Sequence, residues 1–370
     1  MKKLVLIMSV LLVAVSFSVL AGCGKKKAEI AVVTDVGQLM DGGFNQGTYE
    51  GAKTFAEKNN KTYAYYQPEN GQNATDNDRI AAMENAIENG AKIIVAPGFL
   101  QQAAIEKVAT DHPDVKFVFV DGWNFGKANV TAISYKEQES GYLAGYAVVM
   151  DGYRKLGGVF GGGGSNFACN RFCYGFMQGA DAAAKALNLE TPIEMKISFK
   201  YGSSFSASNE LQTLVSQWYT AGTQVVFSCG GSMLNSVIAA AAENANAKIV
   251  GVDTDQAGLS SKIITSAIKG LSSSVQLVLK QFYDGEWDAK LADKTSNLGA
   301  AEDSTGLPTA TTSWRFTTFT LEQYQTLFNS IKNGTVTPVA ATPEDCSLAG
   351  AWNTIAEELT SLSVIHEAGK

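Results

Sequence analysis

The residues of this chain best placed to do chemistry are aspartates and glycines that come directly after short apolar runs. Thr34-Asp35, Asp121-Gly122, Cys229-Gly230-Gly231 and Asp253-Thr254-Asp255 each close such a run. A carboxylate there can accept from paired hydroxyls through charge-assisted hydrogen bonds, which are stronger than neutral ones. A glycine beside it lets a ligand come close to the backbone. The pattern reads as recognition of a polyol or a ribose. Plainer readings stand beside it: Asp35 as a loop cap, and Phe44 of "FNQ" as a core residue rather than a platform for a flat ring.

Catalytic alternatives find little support. The two histidines, His112 and His366, have no metal-ligand spacing around them and offer little to a triad. There is no Gly-x-Ser-x-Gly elbow. The run Gly161–Gly164 lacks the Lys-Ser or Lys-Thr of a phosphate loop, and Phe167 stands where a dinucleotide fold needs its last glycine. It reads as a flexible loop at a cleft edge. Asp253 and Asp255 could form a glycosidase pair, but nothing places them across a bond. The expectation is binding without catalysis, with no catalytic residue, metal or cofactor. Cys169, Cys173, Cys229 and Cys346 allow three disulfide pairings, with Cys169 and Cys173 on one face of a helix.

Hydrophobic content of 45% with 18% charged residues describes a globular chain, not a disordered one. A net charge of −7 disfavours nucleic acid, which needs a basic surface. Short β-branched runs alternate with amphipathic segments. Strands are expected at 29–34, 62–66, 93–96, 116–121, 130–134, 155–160, 194–199, 224–228 and 248–253. Helices are expected at 44–58, 77–89, 100–110, 170–186, 206–220, 233–244 and 272–284. Apolar strands with helical crossovers imply parallel sheets covered on both faces. The two similar arrays imply two α/β lobes, with ligand beyond the carboxyl ends of the strands. The expected division is 29–133 plus about 254–285 for the first lobe and 134–253 plus about 286–337 for the second. Residues 338–370 form a C-terminal extension with no assigned role.

The chain opens with Lys2 and Lys3 and an apolar run from Leu4 to Ala21, the pattern of a signal peptide. Leu20-Ala21-Gly22-Cys23 resembles the lipobox of bacterial lipoproteins. That implies cleavage after residue 22, acylation of Cys23 with chains such as palmitate, and a linker over 23–28. Lys25, Lys26 and Lys27 would sit against anionic headgroups. The folded part would then be held at the outer, extracytoplasmic face of the cell membrane.

A set of ordered segments carries a more specific likeness. "VVTDVGQLMDGGFNQGTYEGAKTFAEK", "HPDVKFVFVDG", "ESGYLAGYAV", "NRFCYGFMQGADAAAKALN", "KYGSSFSASNE", "VVFSCGG", "IVGVDTDQ" and "ITSAIKG" run from about residue 29 to 285. Together they resemble the basic membrane protein family of purine-nucleoside-binding lipoproteins, substrate-binding components of ABC transporters. The resemblance implies a type I periplasmic-binding-protein fold: two doubly wound α/β lobes joined by a hinge of three crossovers. It implies a monomer that captures a nucleoside and serves permease and ATPase subunits. By matching motifs, Phe44 and Phe205 would stack on the base, and Asp35 and Asn45 would meet its polar edges. Asp121, Asp253 and Lys269 would address the ribose, Gly230 would offer backbone contacts, and Arg171 and Phe172 would lie nearby. The loop Leu39–Gly43 departs from the family's acidic, lysine-containing stretch, and the match fades after Asp303. The same fold could instead serve a sugar, a signal molecule, or a surface sensor or adhesin without a transporter.

Overall fold

The computed structural model describes residues 27–36 and 38–369, without the side chains of 354–356. The expected signal segment and Cys23 lie outside the described residues. Among those described, no helix is long and apolar enough to cross a membrane.

Two sheets form the scaffold. The first has the order β11-β5-β4-β3-β1-β2, built from β1 (Ile30–Val33), β2 (Tyr63–Tyr66), β3 (Ile93–Pro97), β4 (Lys116–Val120), β5 (Val130–Tyr135) and β11 (Thr295–Leu298). All its strand pairs are parallel. The helices α1 (Phe44–Lys58), α2 (Asp76–Glu88), α3 (Gln102–Asp111) and α8 (Leu271–Tyr283) cover it. The second sheet has the order β12-β10-β9-β8-β6-β7-β13. It comprises β6 (Lys155–Phe160), β7 (Ile193–Ser198), β8 (Val225–Cys229), β9 (Lys248–Asp253), β10 (Ile263–Lys269), β12 (Thr305–Gly306) and β13 (Leu362–Glu367). Only the β10–β12 pair is antiparallel. The helices α4 (Glu137–Met150), α5 (Phe167–Ala186), α6 (Asn209–Thr220), α7 (Met233–Ala242), α9 (Leu321–Lys332) and α10 (Asn353–Glu358) belong to this half. β1 and β3 are buried throughout, the burial expected when helices cover both faces.

The chain crosses between the lobes after Tyr135, after Lys269 and after Leu298. This corrects the expected division. β10 pairs with β9, Ile268 lying opposite Asp253, so 254–269 stay with the second lobe. Residues 286–298 return to the first, where Trp287 Nε1 donates to Ala128 O (2.8 Å) and β11 pairs with β5. β11 is polar and mostly exposed, and β12 spans two residues, so neither leaves an apolar pattern to read.

α4 escaped periodicity for the opposite reason. It is buried on nearly every side, so it has no polar face to set a helical rhythm. It packs backbone to backbone on α5: a Cβ on Gly145 would stand 2.0 Å from Phe176 O, and one on Gly179 2.0 Å from Tyr142 O. These glycines allow the close crossing that "ESGYLAGY" and "CYGFMQGA" encode.

The C-terminal segment is no appendage. β13 extends the second sheet along the full length of β7, from Leu362 opposite Ile193 to Glu367 opposite Ser198. Trp352 is buried and stacked on Phe199, with ring centroids 6.2 Å apart and planes within 8°. Its indole N–H donates to Cys346 O (3.2 Å), while the Cys346 N–H donates to Gly164 O (2.8 Å). The segment therefore buttresses the four-glycine run from behind. Trp352→Ala should destabilise the protein by about 3–5 kcal/mol, the usual cost of truncating a buried aromatic. A urea-unfolding midpoint equal to wild type would rule out that role.

Candidate functional site: a cleft at the strand ends

Parallel strands send all their carboxyl ends to one edge, and the two sheets turn those edges toward a shared cleft. A cavity of about 710 Å³, partly open to solvent, lies there. Asp35 lies just past β1, Asp121 just past β4 and Gly230 just past β8, while Asp253 and Lys269 end β9 and β10. All five line the cavity, as do Phe44, Asn45, Phe172 and Phe205. Phe44 and Asn45 open α1 in the first lobe, whereas Phe205 precedes α6 in the second. Arg171, read with the site, is not in the lining. It lies behind it, its Nη1 3.3 Å from Glu137 Oε2, with its guanidinium 5.0 Å from the centre of the Phe167 ring.

The backbone turns sharply where these side chains are presented. Asp121, Asp253 and Phe205 have φ of 58°, 67° and 57°. Aspartate tolerates this left-handed region better than most residues, but for phenylalanine it is costly, and such strain gathers at functional sites. Phe205 is held from below by the glycine run: Cβ atoms on Gly161 and Gly162 would meet its ring at 2.5 and 3.2 Å. The run is thus a tight turn packed between Phe205 and the C-terminal segment, not the flexible loop expected.

At the cavity floor Lys269 Nζ donates to both oxygens of Asp121 (2.7 and 2.9 Å) and stands 3.3 Å from Glu137 Oε1. The same ammonium lies 5.1, 5.2 and 5.6 Å from the ring centres of Phe44, Tyr135 and Phe172. Burial opposes its charge, but Asp121, Glu137 and Asp253 outweigh burial and hold its pKa above the usual lysine value. Burial also drives the Asp253 carboxyl up to about 7; Lys269 opposes the rise, while Asp121, Asp41 and Glu137 add to it. The Asn45 Oδ1 is buried without a hydrogen-bond partner.

Several lining residues were missed. Asp41 accepts from the backbone N–H groups of Gly43, Asn45 and Gln46 (2.9, 3.0 and 3.1 Å), capping α1 while facing the cavity. Burial raises its pKa, and those N–H groups partly offset the rise. An acidic residue three positions before Phe44 was the available signal for a cap. Gln72 of the first lobe bonds Ser206 of the second across the cleft, a pairing no local pattern foretells. Thr254 Oγ1 and Gln256 Nε2 both donate to Gly42 O (2.9 Å each), a second bridge between lobes. Asp255 turns away to Ser313, so it does not pair with Asp253.

All four described cysteines are buried free thiols. Burial pushes Cys173 and Cys229 well up and Cys346 to about 12. Among the described residues no cluster could hold a metal ion.

Two doubly wound α/β lobes, three crossings and a cavity at the strand ends define the type I periplasmic-binding-protein fold. The structure superimposes on an ABC transporter solute-binding protein from Aeropyrum pernix K1 with a TM-score of 0.69 at 22% identity, covering 90% of this chain and 97% of the other. It also superimposes on a transcriptional activator of the comK gene from Bacillus halodurans, with a TM-score of 0.66 at 18% identity over 84% and 100% of the chains. At these identities the likeness speaks for the fold alone. In sequence, the chain is 29% identical over 319 residues to the ABC transporter nucleoside-binding protein BmpA of Lactococcus lactis, covering 78% of this chain and 87% of that one. It is 25% identical over 298 residues to basic membrane protein B of Borreliella burgdorferi, covering 77% and 82%. The family of PnrA-like ABC transporter substrate-binding proteins matches residues 28–326, and the chain belongs to it.

Removing Asp121 would leave the buried Lys269 ammonium with Glu137 and Asp253 but no hydrogen-bonded partner. Asp121→Ala should therefore cost about 3 kcal/mol of stability in protein without solute, the low end for breaking a buried pair. Denaturation curves that coincide with wild type would sink this account.

Proposed function

We propose that this protein is a lipid-anchored nucleoside receptor of an ABC importer, holding a nucleoside between its lobes and passing it to a permease. The observation that carries the reading is the pairing of aromatic rings with acceptors in one cavity. Phe44 and Phe205 enter from opposite lobes, and Asp121 and Asp253 line the same cavity from the strand ends. Rings from two sides suit a flat base, and aromatic stacking tolerates several bases because each has a π-face. Asp253 is placed to accept from ribose hydroxyls, while Asp35 and the open Asn45 Oδ1 suit the donor edge of a purine. The Lactococcus relative, named for nucleoside binding, supports the ligand class. Cys23, with its lipobox-like approach, supports anchoring at the outer face of the membrane, where the chain meets its permease as a monomer.

Soluble protein beginning at Gly24 should melt at higher temperature with inosine, guanosine or adenosine, because a ligand of the folded state stabilises it. A shift with a pentose or hexose and with no nucleoside would overturn the ligand. By calorimetry, Phe44→Ala and Asp253→Ala should each weaken nucleoside binding by about 1.5–3 kcal/mol.

The pH dependence has a definite sign. With its pKa at about 7, Asp253 takes up a proton below neutrality, which turns one of its oxygens into a donor and removes the charge that strengthens its bonds to ribose hydroxyls. Affinity should rise as pH passes upward through about 7, and Asp253→Asn should flatten that rise. In cells, an alkyne fatty acid should label wild type but not Cys23→Ala, and labelling of both would refute the anchor.

A further inference from the structure

Glu137 stands outside the cavity lining, yet it is the most completely enclosed carboxylate near it, with no exposed surface. It opens α4 two residues after Tyr135, at the first crossing between the lobes, while Lys269 ends β10 at the second. Its Oε1 lies 3.3 Å from Lys269 Nζ, and its Oε2 lies 3.3 Å from Arg171 Nη1. Arg171 also reaches the carbonyl of Tyr135 (3.4 Å). Glu137 Oε1 has no hydrogen bond, so its hold on Lys269 is electrostatic, acting through an interior where charges are poorly screened. Four charged side chains thus run in a row from the first lobe through the hinge to the second: Asp121, Lys269, Glu137 and Arg171.

We infer that Glu137 is a positioning residue: from behind the cavity it fixes Lys269 at the floor and sets the charge that the solute meets. Without it the ammonium would be drawn toward Asp121 and Asp253, and the rings of Phe44 and Phe172 would lose the cation they pack against. Glu137 also acts on Asp253 across the floor. The groups facing Asp253 are Lys269 on β10, Asp121 after β4, Asp41 before α1, Glu137 on α4 and the Cys229 thiol on β8. Only Lys269 among them is a cation, so each of the three carboxylates makes a proton on Asp253 easier to keep. Burial raises the Glu137 carboxyl too, against the pull of Lys269 and Arg171. Arg171, aligned with the site by sequence yet absent from the cavity, gains a place here as the outer clamp of Glu137.

The inference builds on the nucleoside reading for its binding effect, but not for its electrostatic one. The test therefore starts without solute. In aspartate-labelled protein, the carboxyl ¹³C resonance of Asp253, assigned by its loss in Asp253→Asn, is tracked against pH. Glu137→Gln should move the Asp253 midpoint down by about half a pH unit or more, because one nearby negative charge is gone. Glu137→Asp, which keeps the charge, should stay nearer to wild type. An Asp253 midpoint in Glu137→Gln equal to wild type overturns the inference, whatever the protein binds. Inosine calorimetry then reads the positioning itself, with Glu137→Gln expected to bind roughly tenfold more weakly at pH 8, where Asp253 is ionised in both proteins. Should Glu137→Gln fail to fold, Glu137→Asp carries the test: its shorter reach should still lower inosine affinity several-fold, and equality with wild type refutes the role. If wild type binds no nucleoside, the ligand reading fails, while the solute-free titration still decides the role of Glu137.

Discussion

The structure around the cleft is organised by one buried cation. An ammonium away from water is costly unless opposite charges and hydrogen bonds surround it. Lys269 meets that demand with Asp121 from the first lobe and Glu137 from the hinge. Because the pair joins the ends of β4 and β10, it also ties the two lobes to each other. The bridges from Thr254 and Gln256 to Gly42, and from Gln72 to Ser206, extend that tie along the cleft. The Trp123 and Phe167 rings, 6.1 Å apart, add an aromatic contact between the lobes, while each sheet keeps its own core.

Much of this was legible in the sequence for a simple reason: parallel strands buried on both faces leave continuous apolar runs, and their carboxyl ends must face one edge. The residues at the carboxyl end of each run were enough to pick out Asp35, Asp121, Gly230 and Asp253. The same reading raised Phe44 as an aromatic at the cleft edge, and the motifs of a known family then gave roles to Asn45, Phe205 and Lys269, which no periodicity marks. The features that stayed hidden depend on contacts distant in sequence. α4 has no polar face, Gln72 finds its partner 134 residues away, and Glu137 stands at a crossing whose neighbours only the fold supplies. The lobe boundaries went astray at 254–269 because a loop after an aspartate does not reveal whether the next strand returns to the same sheet.

The C-terminal segment shows how a part beyond the family match at residue 326 can still bear on the site. β13 closes the edge beside β7, Trp352 fills the space over Phe199, and the chain at Cys346 and Ser347 presses on Gly164. A Cβ on Gly164 would stand 2.4 Å from the Ser347 nitrogen, so the two backbones are in direct contact. The glycine run is fixed on its outer side by this contact and on its inner side by Phe205. The cleft wall of the second lobe is therefore part of its core, and the strained backbone at Phe205 has a firm support.

The charge of the cavity narrows what can enter it. Asp35, Asp41, Asp121 and Asp253 line it, and Lys269 is the one lysine or arginine among the described lining residues. That lysine is already committed to Asp121 and Glu137. An anionic group would meet several carboxylates in a poorly screened space, with no uncommitted cation in the lining to offset them. Donor-rich neutral solutes, and cations, meet the opposite situation: acceptors held in place before they arrive, including an Asn45 oxygen with no partner of its own. Preorganisation of this kind favours a solute because the cost of assembling the acceptors is met during folding rather than at binding. A base with ring and exocyclic N–H groups on a sugar with adjacent hydroxyls satisfies that demand, whereas the same molecule carrying a phosphate does not.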